Sequence, residues 1–224
     1  DWSSDVCSSD LTVMSMGPAQ AEDVLRESLS VGADEAYLVS GREFGGSDTL
    51  ATSYILSCAV KAVEEKRGEK FDVIYCGKQA IDGDTGQVGP EMAEHLGYTQ
   101  ITYATELVAC EGDKVQVRKE TADGYDVLEA ALPVVISVTK TPFELRYPTV
   151  KKRLAANRAQ IPTITPQDME GQIDLSRAGL KGSPTKVKKS FTPQHNKNCV
   201  VVEEDSPSAS AVKLVALLSD DKKI

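Results

Sequence analysis

The sequence holds no run of apolar residues approaching the roughly 18 that a membrane span needs, and its start lacks a basic stretch followed by an apolar one. Neither a membrane span nor a secretory leader is indicated, and a soluble chain with the cytoplasm as its default location is expected. Cationic residues are in the minority, 25 Lys and Arg against 34 Asp and Glu, for a formal charge of −9. Binding nucleic acid through counterion release needs a dominant basic surface, so no nucleic-acid partner is expected, local basic patches aside. The five cysteines, Cys7, Cys58, Cys76, Cys110 and Cys199, form no C-x-x-C pair. A zinc site and a disulfide framework are not indicated, and the thiols read as buried or inert. Only two histidines are present, His95 and His195, with no serine or cysteine constellation beside them. No catalytic residue and no metal site are therefore assigned; His95, late in a helix, reads as a partner for the helix dipole.

What is present suits one ordinary globular core: 224 residues, 41% hydrophobic and 26% charged. Residues 1–11 repeat a Ser-Ser-Asp unit and show no periodicity. They resemble translated adapter sequence and are read as a non-native leader, set aside from the fold. Thr12 to Met16 reads as an apolar strand, Ala19 to Val31 as a helix, Ala36 to Val39 as a strand, and Thr49 to Lys66 as a helix capped by Ser47 or Asp48. Phe71 to Cys76 then reads as a strand covered on both faces, and Gln87 to Leu96 as a helix ended by Gly97. Strands alternating with helices imply a parallel sheet, with chemistry beyond the carboxyl ends of its strands.

From Gln100 the period changes. Ile101 to Val108, Lys114 to Lys119 and Tyr125 to Ala131 read as a hairpin or meander, and Val134 to Val138 as a strand that returns to the main sheet. A short helix is expected near Lys151 to Arg158. From Ile161 to Pro193 the sequence reads as an extended arm rather than core, and Pro207 to Leu218 as an amphipathic helix in need of a cover. The expected architecture is an α/β, Rossmann-like three-layer domain over 12–160 with a hairpin insertion, followed over 161–224 by an arm ending in a helix.

The most informative segment is Gly77-Lys-Gln-Ala-Ile-Asp-Gly-Asp-Thr-Gly-Gln-Val-Gly-Pro90, between a buried strand and a helix. Gly83, Gly86 and Gly89 allow backbone amides to approach a ligand, and the helix start near Gln87 presents unpaired N–H groups. Such an arrangement suits phosphate, although it is neither the dinucleotide fingerprint nor the P-loop. Asp82 and Asp84 would repel phosphate unless they cap amides or meet sugar hydroxyls; a structural turn stays open on spacing alone.

Val73 to Gly97 resembles the nucleotide loop of electron-transfer flavoprotein β subunits nearly residue for residue, and the likeness extends through Met14 to Gln20, Gly45 to Thr52, Leu132 to Thr139 and Leu145 to Thr149. It also covers Gly182 to Thr185 and Ser190 to Pro193. The resemblance implies an electron carrier subunit, not an enzyme, that binds FAD, or AMP in the same site. It assigns as ligand contacts Met16, Gly77, Lys78, Gln79, Ala80, Ile81, Asp82, Gly83, Asp84, Thr85, Gly86, Gln87 and Val88. The family's chain also opens with a strand and further turns that complete the adenosine pocket, and these are absent here. The wording of the loop is most like the anaerobic, bifurcating group, which favours FAD and NADH-dependent bifurcation.

Arg146 to Arg158 resembles the segment with which the β subunit grips acyl-CoA dehydrogenases, Val150 standing at the apolar anchor position beside Arg146 and Tyr147. The implied partners are thus the family's α subunit, reached by the terminal helix, and an acyl-CoA dehydrogenase. An alternative from another class is a nucleotide-binding module of the universal-stress type, which needs neither the basic segment nor the long arm.

Overall fold

The computed structural model describes residues 10–81, 83–140, 144–189, 191–192 and 199–220. Its elements run β1 (Thr12–Met16), α1 (Glu22–Val31), β2 (Glu35–Val39), α2 (Thr49–Arg67), β3 (Val73–Gly77), α3 (Val88–Leu96), β4 (Thr99–Glu111), β5 (Lys114–Thr121), β6 (Gly124–Ala131), β7 (Val134–Val138), α4 (Val150–Arg158), β8 (Thr163–Ile164), α5 (Gly179–Gly182) and α6 (Pro207–Asp220). The chain divides into two compact units, the first ending at Lys186 and the second beginning at Val187.

In the first unit the expected parallel strands are present, but their hydrogen bonds divide them between two sheets. One has the order β1-β2-β8, all parallel; the other has the order β3-β7-β4-β5-β6. In the second sheet β3, β7 and the start of β4 are parallel, and β4, β5 and β6 form the antiparallel meander. Among the described residues β1 pairs only with β2 and β3 only with β7, so each keeps one free edge.

The layers follow from which faces are apolar. α2 is the central helix: Ile55, Ala59 and Val63 are fully buried against Val39 of β2 and against Ile164 and Met169. Each such aliphatic side chain contributes about 1.5–3 kcal/mol by leaving water. α2 is polar in places even where it is buried, and Ser53 and Ser57 satisfy their hydroxyls on the carbonyls of Leu50 and Ser53. On the opposite face of the first sheet, Leu25 of α1 packs on Ala36 and Leu38. A third cluster, Ile101, Val115, Val117, Val134 and Ile136, fills the second sheet where the meander folds across it.

The helix ends are set by the residues the sequence offered. Asp48, not Ser47, caps α2, accepting from the Ala51 amide at 3.1 Å. Gly68 and Gly97 take the left-handed conformation that closes α2 and α3. Glu64, late in α2, accepts from the Phe71 amide and the Tyr98 hydroxyl, tying the helix to the strand that follows and to the end of α3.

The segment from Ile161, expected as a bare arm, is in fact packed. β8 pairs with β2, and Ile164, Met169 and Ala178 are buried in the α2 core. The prolines had masked this: Pro166 opens a 3-10 turn capped by Thr165 and Asp168, so the chain turns repeatedly rather than extending. Leu11 also makes contacts, its amide donating to Asp34 and its carbonyl accepting from the Asp34 amide. In the second unit, α6 is anchored locally by an ion pair between Lys213 and Glu204 and buries none of its residues. Val212, Leu214, Val215 and Leu217 are all exposed.

Candidate functional site

The parallel strands place their carboxyl ends, and the helices that follow them, on one rim. Thr49 at the start of α2 donates its hydroxyl to Gln87 at the start of α3 at 3.1 Å, which sets the two helix N-termini side by side. The two ends differ in how they are satisfied. That of α2 is closed by Asp48, which also accepts from the amide and hydroxyl of Thr185 at 3.0 and 2.9 Å. Burial alone would raise the Asp48 pKa, but the donors from Thr185, Ala51 and Ser183 outweigh it and hold the carboxyl below its ordinary value. The N-cap of α3, Gln87, makes no side-chain cap bond, so among the described residues no capping side chain closes this end, where the helix dipole is positive. This is the physical requirement for an anion seat.

The loop leading to α3 begins as β3 ends. The Lys78 amide donates to the carbonyl of Val138 at 3.0 Å, holding the loop's base to β7. Its ammonium lies 5.2 Å from the centroid of the Tyr103 ring. Gln79, Ala80, Ile81, Gly83, Asp84 and Thr85 are exposed, while Asp82 lies outside the described residues. The Asp84 carboxylate accepts from the Gln79 side-chain amide, and its own amide donates to Ala80. That carboxylate is thus engaged within the loop. Asp84 also adopts a left-handed backbone, φ 60°, which Asp tolerates better than most residues.

The glycines of the loop have separate tasks. Gly86 has φ +64°, and a Cβ there would meet the Lys78 carbonyl at 3.3 Å, so the loop closes on itself at this point. Gly89 is buried, and a Cβ would meet Cys76 and Ser137 at 3.3 and 3.7 Å. It therefore lets α3 approach the sheet. Gly83 would meet nothing within 4 Å. Beneath the loop, burial pushes the Cys76 thiol up to about 11, which keeps it protonated and unreactive at neutral pH.

Met16 ends β1 and packs on the α2 core, at the carboxyl end of its strand. Sequence reasoning missed Thr49 and Tyr103, both on this rim. Thr49 was legible as the first residue of a helix that follows a parallel strand; Tyr103 carried no such signal. His95 does not serve the helix dipole as a cation. Burial, and then the Arg177 guanidinium, lower its pKa; the ring packs edge-on to Tyr54, with centroids 5.6 Å apart.

The second implied surface is separate. Thr149 caps α4, accepting from the Lys152 amide at 3.2 Å, and Arg26 of α1 grips the other end through the carbonyls of Ala156 and Ala159 at 2.9 and 2.8 Å. Ala156 is buried on α1. Ahead of and within the first turn, Tyr147 is 93% and Val150 78% exposed, next to Lys151, Lys152 and Arg153. Cations at a helix N-terminus oppose its dipole, so this composition is not explained by helix stability. Arg146 lies over Gly32, its guanidinium 3.7 Å from where a Cβ there would stand.

Comparison with known proteins gives this geometry a family. The model of the electron transfer flavoprotein domain matches residues 5–169. The chain is 48% identical over 217 residues to the electron transfer flavoprotein subunit beta of Megasphaera elsdenii, covering 96% of this chain and 79% of that protein. It is 44% identical over 201 residues to the corresponding subunit of Clostridium acetobutylicum, covering 90% and 74%. It is 42% identical over 187 residues to the acryloyl-CoA reductase electron transfer subunit gamma of Anaerotignum propionicum, covering 82% and 68%. The chain belongs to the electron transfer flavoprotein β-subunit family.

Proposed function

We propose that this chain is the nucleotide-holding β subunit of a heterodimeric flavoprotein, with FAD, or AMP in its place, seated by its phosphates at the α3 N-terminus. The observation that carries this is the contrast between the two helix ends on the rim: Asp48 closes that of α2, while that of α3 is uncapped and faced by a loop that Gly86 folds inward. The chain's residues fit the ligand at that point, since uncapped amides attract phosphate and the one described carboxylate of the loop is turned to Gln79. Lys78, Gln87 and Val88 would hold the phosphates, and Met16 would line the adenosine side. Bound flavin would supply the redox chemistry, which the protein tunes through charge and hydrogen bonds.

The role that follows is electron carriage between dehydrogenases and other redox partners, the α subunit supplying the main electron-transferring FAD. The α4 surface, Arg146, Tyr147 and Val150, would dock an acyl-CoA dehydrogenase: an exposed apolar anchor ringed by cations is a common docking design. The apolar stripe of α6, uncovered in its own unit, would bind the α subunit. The loop's likeness to anaerobic relatives favours FAD and NADH-dependent bifurcation over AMP. Co-expression with an α subunit followed by a flavin count tests this. Two flavins per heterodimer are expected; one flavin with released AMP would replace FAD by AMP, and one flavin with no AMP would overturn the nucleotide site.

A further inference from the structure

Away from the rim, one aromatic ring joins three elements. Tyr54 of α2 accepts the Asp174 amide on its hydroxyl at 2.7 Å and carries the Arg177 guanidinium 3.9 Å from its ring centroid, so the 3-10 turn Leu175–Arg177 rests on it from both ends. His95 of α3 packs edge-on against the same ring. A cation and an imidazole thus lie against one phenol. His95 Nε2 is buried there with no hydrogen-bond partner among the described residues.

This arrangement suits the neutral imidazole and penalises the protonated one. A neutral ring can leave Nε2 as a bare acceptor, whereas the imidazolium is a donor at both nitrogens and would bring a second positive charge beside Arg177. Lys61 of α2 adds a further cation, its ammonium donating to the His95 carbonyl at 3.3 Å. Glu91 and Glu94 of α3 act in the opposite direction, but more weakly than Arg177: Glu94 is exposed, and Glu91 Oε2 is buried without a partner of its own. Burial favours the neutral forms of Tyr54 and Cys58, and the Asp174 carboxylate is engaged by the Ser176 amide. Burial and then Arg177 accordingly hold the His95 pKa below its ordinary value.

What the turn fastens extends to the start of α2. The Gly179 amide donates to the Ser47 hydroxyl at 3.1 Å, the Asp48 amide donates to the Ser183 hydroxyl at 2.9 Å, and the Asp48 carboxylate accepts from Thr185. Residues 174–185 are therefore a strap, held at one end by Tyr54 and at the other by the N-cap of α2. We propose that this strap is an acid-released latch: a proton on His95 drives Arg177 off Tyr54 and frees the strap from α2. Release takes Arg177 away from His95 and returns the imidazole toward its ordinary pKa of 6.5. The latch is thus fully closed above that value. As pH falls below it, the released form gains by at most a factor of about ten per pH unit, until the pKa of the latched form is passed.

The test follows amide hydrogen exchange in the full chain, corrected for the chemical pH dependence of exchange. The amides of Asp174, Arg177, Gly179 and Thr185 are expected to exchange roughly 3- to 10-fold faster at about pH 5.5 than at about pH 7.5, while those of Ile55 and Val63 in α2 keep their protection. His95→Phe retains an edge-on ring that takes up no proton, and should remove the pH dependence of the strap. Arg177→Met keeps an apolar stem on Tyr54 without the charge; in it, the imidazole signal that His95→Phe deletes should titrate at a higher midpoint by NMR than in the parent. Strap exchange independent of pH in the parent, or dependent on pH in His95→Phe, would overturn the latch. So would an unmoved His95 midpoint in Arg177→Met, which would separate the imidazole from the guanidinium. Parallel loss of protection in the strap and in α2 would show global unfolding in place of a latch.

Discussion

Gly86→Ala should weaken nucleotide binding about 5- to 30-fold, and the structure says why the change acts there and not at its glycine neighbours. At φ +64° an L side chain is strained by roughly 1–2 kcal/mol, and the new Cβ would also press on the Lys78 carbonyl at 3.3 Å. The loop is exposed, so little holds it in the strained form; it would relax, and the relaxed loop would no longer close over the α3 amides. A loss of 1–2 kcal/mol corresponds to about 5- to 30-fold in affinity. Because the loop carries little of the core, the melting temperature should hardly move.

Two controls separate this from a general sensitivity to losing glycine. Gly83→Ala meets open space and an ordinary backbone, so both affinity and stability should stay within about 0.5 kcal/mol. Gly89→Ala presses a methyl on the Cβ of Cys76 and forces α3 away from the sheet, which should destabilise the fold by about 1–3 kcal/mol. Calorimetric titration with FAD or AMP, paired with thermal melts, reads both quantities. Parent-like affinity in Gly86→Ala would refute the closed-loop reasoning, and so would a loss of the same size in Gly83→Ala.

Asp48→Ala removes the α2 cap and both bonds to Thr185, and should cost about 1–2 kcal/mol in denaturant unfolding; protease cleavage after Lys186 should accelerate, and unchanged cleavage would show that the Asp48 bonds to Thr185 do not hold that segment. His95, with its pKa lowered by burial and by Arg177 among neighbours Lys61, Glu91 and Glu94, favours the neutral ring in the fold. The unfolded chain then binds the extra proton, so stability should fall as pH drops through the ordinary value of 6.5 and level off below the folded pKa. His95→Phe should flatten that part of the pH profile, and an unchanged slope would show that another group causes it. Val150→Asp should slow electron delivery to an acyl-CoA dehydrogenase several-fold with bound flavin unchanged; equal rates would return α4 to an ordinary solvated helix.

The fold was legible where periodicity and punctuation agreed. β1, β7 and α2 lie within a residue of their expected bounds because apolar runs were closed by Gly17, Pro133 and Gly68. Two things were not legible. Which strands share a sheet depends on partners far away in the chain, and period alone cannot show that, among the described residues, β1 and β3 each keep a free edge. The packing of 161–183 was hidden because its contacts are made by single residues, Ile164, Met169 and Ala178, separated by turns, so no face repeats at 2 or 3.6 residues.

The loop was legible as a glycine-rich turn between a strand and a helix, but not as a division of labour among its glycines. A sequence shows three glycines in the loop and cannot say that Gly86 supplies conformation and Gly89 close packing, nor that nothing in the structure requires Gly83 to be a glycine. For Asp84 the structure adds a partner within the same segment, the Gln79 side-chain amide donating to its carboxylate, which spacing could not reveal. The α4 segment stands out by its composition. Lys151, Lys152 and Arg153 lie at the end of a helix where cations oppose the dipole, so the helix does not owe its stability to them. Its stability comes instead from Thr149 at one end, Arg26 at the other and Ala156 beneath. With the helix secured from behind, its outer face is not needed for packing within the chain, and that is where the exposed Val150 stands.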